Sequence, residues 1–120
     1  LYFSDTGLFN SRLQLTKQSL AASRQYMGAL TENYVAIQLK ANGYKLNYWT
    51  STATAEVDFV IVQNGEVVPI ECKANIHVKS KSLDSFVKRY GIKQSIRLSM
   101  RNFGFENNIK SVPLYAAFCV

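Results

Sequence analysis

The dipeptide Asn64-Gly65, which lies between two runs of alternating polar and apolar residues, limits the fold of this chain more than any other feature. Asn-Gly is the preferred two-residue turn between antiparallel strands, because both residues accept positive φ angles. We therefore predict a hairpin of residues 55–63 and 66–74. Its register follows from the turn: Gln63 pairs with Glu66, and each further pair lies one step outward.

This register brings acidic side chains together on one face of the hairpin. Asp58 is expected opposite Glu71, and Lys73 lies on the same face opposite Glu56. Two carboxylates placed opposite each other repel, and a divalent cation such as Mg²⁺ or Mn²⁺ offsets that repulsion best. Lys73 can orient a water molecule or neutralise charge that develops on a phosphate. The alternative for Glu71 and Lys73 is that they are ordinary charged residues on an exposed strand. Glu56 has two possible roles: it lines the site, or it forms an ion pair with Lys73.

The opposite face of the hairpin is apolar and is expected to face the core. Its members are Val57, Phe59, Ile61, Val68, Ile70 and Cys72. Cys72 and Cys119 lie in apolar stretches without metal-ligand spacing, so both are interpreted as reduced core residues. This interpretation disfavours a zinc site and an oxidising compartment, and it favours the cytoplasm.

Glu32 has an unusual position in a predicted helix of residues 16–42, which Gly43 ends. Its neighbours on the same stripe of the helix are small or apolar: Gly28, Ala29, Val35, Ala36 and Leu39. We therefore expect Glu32 to point inward. A buried carboxylate needs a partner or a metal ion, and the acidic face of the hairpin offers one.

The remaining patterns predict a single α/β domain over residues 1–120. Residues 4–8 are interpreted as strand and turn, 44–50 and 94–100 as strands, 82–90 as a helix, 101–112 as a polar loop, and 113–120 as a buried final strand. Hydrophobic residues make up 48% of the chain, enough for a folded core. No apolar run approaches the roughly 20 residues that a membrane-spanning helix needs.

The net charge is +6, and cations are concentrated between Lys73 and Arg101, where Asp84 is the single acid. Such a segment is a candidate surface for the phosphates of a nucleic acid. The alternative is a solvated basic face. The candidate nucleic-acid-binding residues are Lys79, Lys81, Lys88, Arg89, Arg97 and Arg101.

Five segments, at residues 28–33, 55–61, 69–73, 80–83 and 112–116, together with Trp49, carry a resemblance to a known family. They resemble, in the same order, the C-terminal domain of unknown function that follows the ATPase domain in a family of bacterial and archaeal AAA+-type ATPases. The resemblance covers nearly the whole chain. It implies that the chain is the C-terminal part of a longer protein and that the ATPase domain is a partner.

That domain is in turn similar to the PD-(D/E)xK nucleases, whose restriction-endonuclease-like fold is also that of archaeal Holliday junction resolvases. The resemblance implies a mixed central β-sheet flanked by α-helices, and often a homodimer. It implies Asp58 and Glu71 as ligands of Mg²⁺ or Mn²⁺, with the Cys72 backbone carbonyl completing the set. Glu32 would be the helix acid, a ligand through water, and Lys73 the catalytic lysine. Val57 stands where the superfamily pattern has proline.

These expectations define three functional hypotheses. The first is a metal-dependent nuclease domain that hydrolyses DNA phosphodiester bonds, with Glu32, Asp58, Glu71 and Lys73 as catalytic residues. The second is a catalytically inactive module on the same fold that binds DNA or protein and serves the ATPase. The third is an antitoxin-like or oligomerisation domain.

Overall fold

The computed structural model describes residues 2–14, 16–52, 55–76 and 81–120, with Leu20 and Ala21 described by their backbone alone. The chain is a mixed α/β domain built on one six-stranded sheet. Its helices are α1 (Thr6–Arg12), α2 (Lys17–Ala22), α3 (Arg24–Ala41) and α4 (Lys81–Tyr90), and a 3₁₀ helix covers Leu114–Cys119. Its strands are β1 (Asn47–Thr50), β2 (Glu56–Gln63), β3 (Glu66–Cys72), β4 (Ser95–Ser99), β5 (Gly104–Glu106) and β6 (Ile109–Pro113).

The predicted hairpin is confirmed as β2 and β3, and its register runs from the pair Gln63–Glu66 to the pair Phe59–Ile70. Asn64 and Gly65 have φ angles of 53° and 79°, as a turn of this kind requires. Pro69 pairs with Val60. Counting outward from the closing pair, this is a non-hydrogen-bonded position, so the missing amide of proline costs no hydrogen bond to β2.

The sheet is mixed, in the order β1-β2-β3-β4-β6-β5. β1, β2 and β3 are antiparallel neighbours, whereas β3, β4 and β6 run parallel and β5 is antiparallel to β6. Helix α4 makes the crossover between β3 and β4, as parallel neighbours require. The carboxyl ends of β3, β4 and β6 therefore meet at one edge of the sheet.

The carboxy-terminal part differs from the prediction. The expected loop contains the hairpin of β5 and β6, whose turn residues Asn107 and Asn108 both have positive φ angles. The expected final strand is instead the 3₁₀ helix, which buries Ala116 and Ala117 against α3. A short apolar run fits either a buried strand or a buried helix, and only the tertiary partner decides between them. Cys119 is exposed, so its assignment to the core was wrong.

Two helix boundaries near the amino terminus also differ from the prediction. The segment expected as strand and turn begins helix α1, because the Asp5 carboxylate caps it by accepting from the Leu8 amide at 2.9 Å. The long predicted helix is divided at Ser23, whose hydroxyl accepts from the Tyr26 amide and starts α3. The N-cap residues determine both starts.

The main core lies where α3 and the 3₁₀ helix pack on the sheet. Val35, Ala36 and Leu39 of α3 contact the central strands there, and the strand members of this core are Phe59, Ile61, Val68, Ile70, Cys72, Ile96, Leu98 and Val112. Leu83 and Phe86 of α4 are buried outside this cluster. In the part of the chain that the structure describes, no helix is long and apolar enough to cross a membrane.

Ile61 and Val62 are neighbours in β2 with opposite burial, 0% and 59% exposed. We expect Ile61→Ala to lower the free energy of unfolding by roughly 2–5 kcal/mol, because it removes buried methyl groups and leaves a cavity. Val62→Ala should cost less than about 1 kcal/mol. Urea denaturation of both variants measures the difference, and equal losses would contradict the assignment of strand faces.

Candidate functional site

Strands β2 and β3 separate beside Asp58. Continuing the register one hydrogen-bonded pair beyond Phe59–Ile70 would join the Cys72 amide to the Val57 carbonyl. Instead, the Asp58 Oδ2 atom accepts from the Cys72 amide at 2.7 Å. The predicted backbone pair of Asp58 with Glu71 is therefore not part of the ladder, although both residues lie at this point. We call Asp58, Glu71, Cys72 and Lys73 the strand fork.

A β-bulge on the other side of β2 contributes to this arrangement. Asn47 of β1 pairs with Val60 and Trp49 pairs with Val57, so two residues of β2 lie opposite the single residue Tyr48. Asp58 is one of the two. A bulge bends the strand and changes the direction of its side chains, and bulges are common beside functional sites.

Glu71 is buried in the strand fork with only 4% of its surface exposed. Its Oε1 atom forms an ion pair with the Lys73 ammonium at 2.8 Å. Its Oε2 atom is buried and has no hydrogen-bond partner among the described residues. This oxygen has lost its hydrogen bonds to water on burial without gaining one from the described protein.

Lys73 leaves the sheet directly after β3. Its amide donates to the Leu98 carbonyl of β4 at 2.8 Å, which fixes the backbone beside the fork. Its side chain is 39% exposed, so the ammonium contacts both Glu71 and solvent. Lys73 thus forms its ion pair with Glu71, whereas Glu56 takes the other role considered for it and lines the site.

Glu32 faces the same region from helix α3. It lines a cleft of about 250 Å³ beside β1 and β2, which we call the acid cleft. The acid cleft is lined by Tyr2, Glu32, Tyr48, Trp49, Thr50, Glu56, Val57 and Asp58. Three carboxylates from two different elements therefore meet around one opening, as the position of Glu32 in its helix indicated.

Burial is the main influence on the pKa values of Asp58 and Glu32. It raises the pKa of Asp58, which Glu71 and Glu56 raise further while the Cys72 amide and Lys73 oppose the shift. Burial likewise raises the pKa of Glu32, and repulsion from Asp58 adds to the effect. Burial lowers the pKa of Lys73, but its bond to Glu71 outweighs this and leaves the pKa raised. Asp58 and Glu32 therefore resist ionisation, and Lys73 stays charged.

The donor set fits a hard divalent cation in its chemistry. The candidate ligands are carboxylate oxygens and the Cys72 carbonyl, which are the ligands Mg²⁺ and Mn²⁺ prefer. The unpartnered Oε2 of Glu71 is an oxygen that such an ion would satisfy. Within the described ranges, no three His, Cys, Asp or Glu side chains are close enough to hold one ion as they stand. Binding would therefore require side-chain movement or water ligands.

The predicted nucleic-acid-binding residues are spread over two regions. Lys79 lies outside the described residues. Lys81, Lys88 and Arg89 are exposed on α4, whereas Arg97 is half-buried on β4 as the register partner of Glu71.

Arg101 follows β4, and its Nε atom donates to the Ile76 carbonyl at 2.9 Å. Among the predicted nucleic-acid-binding residues that the structure describes, Arg97 and Arg101 are therefore the two that lie near the strand fork.

Three aromatic residues of the acid cleft, Tyr2, Tyr48 and Trp49, were not predicted as site residues. Tyr2 packs on Phe59 with ring centroids 5.7 Å apart, and the backbone of the next residue, Phe3, is held by both amide atoms of Asn33. Trp49 donates to the Tyr90 hydroxyl at 3.1 Å. The sequence gives no signal for Tyr2, because its place depends on a contact between residues 30 positions apart.

The fold and site define a mixed α/β domain with an acidic cleft at the point where two central strands separate. Residues 27–117 match the family model described as "Domain of unknown function (DUF4143)", and the chain belongs to this family. Comparison with curated proteins and with solved structures finds no match.

The raised pKa of Asp58 predicts a pH-dependent effect of Asp58→Asn on stability. The folded state holds the proton more tightly than the unfolded chain, so the free energy of unfolding falls as pH rises above about 4. Asparagine does not titrate and can still accept from the Cys72 amide. In chelator, Asp58→Asn should therefore be more stable than the wild type at pH 7, with a smaller gain at pH 4.

Urea denaturation at both pH values measures this gain, and Glu32→Gln should change stability with the same sign. A gain that is the same at both pH values would contradict the electrostatic account of the site.

Proposed function

We propose that this domain is a metal-dependent nuclease that hydrolyses DNA phosphodiester bonds at the strand fork. One observation carries the proposal: the buried Oε2 of Glu71 has no partner among the described residues, although Asp58 and Lys73 lie beside it. Nothing in the packing of the core requires an ionisable side chain at this position. A divalent cation shared by Glu71 and Asp58 accounts for both acids.

Asp58, Glu71 and the Cys72 carbonyl are the proposed ligands of Mg²⁺ or Mn²⁺, with Glu32 acting through water. When bound, such a cation lowers the pKa of a water molecule and offsets charge on the phosphate. Asp58 is held in place for this role, because the Cys72 amide fixes one of its oxygens at 2.7 Å. Its other oxygen is free of that bond.

Lys73 is the proposed catalytic lysine. Its ammonium remains charged beside Glu71 and its side chain is 39% exposed, so it can reach both a water molecule and a phosphate oxygen. There it would orient the attacking water and neutralise negative charge that develops on the phosphate. Glu32 lines the acid cleft from helix α3. Because its pKa is raised, it would hold a proton there or accept one.

The resemblance to the PD-(D/E)xK superfamily and to the domain of AAA+-type ATPases supports the wider proposal. The mixed sheet, with helices packed on it and acids at the separation of two central strands, agrees with the restriction-endonuclease-like fold that the resemblance implies. We propose an attached ATPase domain as the partner in the same chain, a cytoplasmic setting and DNA as the substrate. The net charge of +6 favours a polyanion. A homodimer is a further proposal, by analogy.

The first test compares acids at the two ends of β3. Glu71→Gln should abolish Mg²⁺ or Mn²⁺ binding by calorimetry, and Asp58→Asn should do the same. Either change should lower metal-dependent cleavage of plasmid DNA at least about a hundredfold. Glu66→Gln is the matched control, because Glu66 is exposed in the same strand and pairs with Lys93. Full cleavage by Asp58→Asn, or no metal binding by the wild type, would refute the proposal.

A second candidate is a catalytically inactive module that binds DNA or protein for the ATPase. The observation favouring it is that no three metal-ligating side chains among the described residues are assembled for one ion, while Lys73 already pairs with Glu71. A relic of a nuclease site would keep such an internal ion pair and lose the metal.

The inactive module makes specific predictions for DNA affinity in chelator, and cleavage after metal is added separates it from the nuclease. For the inactive module, replacing Lys88 and Arg89 with alanine should weaken binding severalfold, with a smaller salt dependence. Asp58→Ala should leave binding unchanged or strengthen it, because an anion is removed. Fluorescence anisotropy at two salt concentrations measures both. Cleavage by the wild type after Mg²⁺ is added would exclude this candidate.

A further inference from the structure

Large apolar side chains are exposed where β4 and β6 end. Ser99 and Pro113 are register partners at the ends of these parallel strands. Met100 follows Ser99 directly and is 61% exposed, and Tyr115 lies two residues beyond Pro113 and is 70% exposed. Since neighbouring strands are about 4.8 Å apart, the segments that follow them leave the sheet side by side.

Phe103 belongs to the same edge and is 60% exposed. It directly precedes Gly104, whose partner in the sheet is Ser111, close to the end of β6. The exposed residues after the parallel strands therefore include two aromatic rings and a guanidinium group. We call Met100, Arg101, Phe103 and Tyr115 the aromatic edge.

The aromatic edge begins beside the strand fork. The Lys73 amide is bonded to the Leu98 carbonyl, two residues before Met100. Arg101 donates to the Ile76 carbonyl and so joins the segment after β4 to the segment after β3. A chain-like ligand bound at the strand fork would thus continue onto the aromatic edge without crossing strand β1 or strand β2.

The charge of this edge is positive. In residues 73–76, 100–103 and 114–116, all of which the structure describes, the charged side chains are Lys73 and Arg101. Glu71 is buried and engaged with Lys73, and Glu106 lies at the opposite end of β5. Exposed rings beside cations, without an exposed acid, complement a ligand with phosphates and flat bases.

We infer that the aromatic edge binds unpaired nucleotides, so that the substrate of the strand fork has a single-stranded segment next to the cleaved bond. This inference rests on the proposed function and specifies its substrate class. Aromatic rings stack on the faces of bases, which are accessible in a single strand and occupied by neighbouring bases in a duplex. Arg101 would contact the phosphates between stacked bases.

The test is fluorescence anisotropy in EDTA with a labelled single-stranded oligonucleotide and with its duplex. The wild type should bind the single strand more tightly. Phe103→Ala and Tyr115→Ala should each weaken that binding about tenfold and leave duplex binding within about twofold. Tyr26→Ala is the matched control, because Tyr26 is an exposed aromatic residue on α3.

Several results would overturn the inference. Equal affinity for both forms of DNA would do so, as would single-strand binding that neither substitution changes. A wild-type dimer that Phe103→Ala converts to a monomer, without any change in single-strand binding, would identify the edge as an interface between copies. In that case, light scattering reports the change of mass.

The inference and the proposed function fail in different ways. If the protein cleaves DNA with Mg²⁺ but Phe103→Ala leaves single-strand binding unchanged, the inference is refuted and the nuclease proposal is not. Single-strand binding that depends on Phe103 and Tyr115, in a protein that never cleaves with Mg²⁺ or Mn²⁺, would refute the nuclease proposal and support the surface.

Discussion

The hydrogen bond from the Cys72 amide to the Asp58 carboxylate is the interaction on which the site depends. It takes the place of the ladder bond that the hairpin register predicts, and it is 2.7 Å long. A carboxylate is a stronger acceptor than a backbone carbonyl, so the bond can replace the lost ladder contact. Because β2 and β3 separate here, Glu71 and Lys73 lie beyond the last paired residues of the hairpin.

The surroundings of this bond carry an electrostatic cost. Four carboxylates, those of Glu32, Glu56, Asp58 and Glu71, influence one another around a single ammonium group on Lys73. Burial and mutual repulsion make the ionised forms of Asp58 and Glu32 costly, and the second oxygen of Glu71 has no hydrogen-bond partner among the described residues. Local electrostatic cost of this kind is typical of functional sites, where the rest of the fold supplies the stability.

The sequence predicted the parts of the site that depend on local rules. Asn64-Gly65 determines the hairpin register, and that register places Asp58 and Glu71 on neighbouring strands. The small and apolar neighbours of Glu32 on its helix stripe indicated that this acid points inward, which is also a local rule. The fork itself could not be predicted, because an Asp side chain replaces a backbone partner there. The bulge in β2 depends on pairing with β1, and the place of Tyr2 depends on Asn33. The 3₁₀ helix at the carboxyl terminus likewise depends on its packing against α3.

The central claim is that the strand fork binds a divalent cation, and paramagnetic Mn²⁺ tests it residue by residue. In a nuclear magnetic resonance titration with less than one equivalent of Mn²⁺, the amide signals of Asp58, Cys72 and Lys73 should broaden first, and excess Mg²⁺ should reverse the effect. Broadening confined to exposed acids such as Glu66 and Glu106, with the Cys72 amide unchanged, would contradict the account.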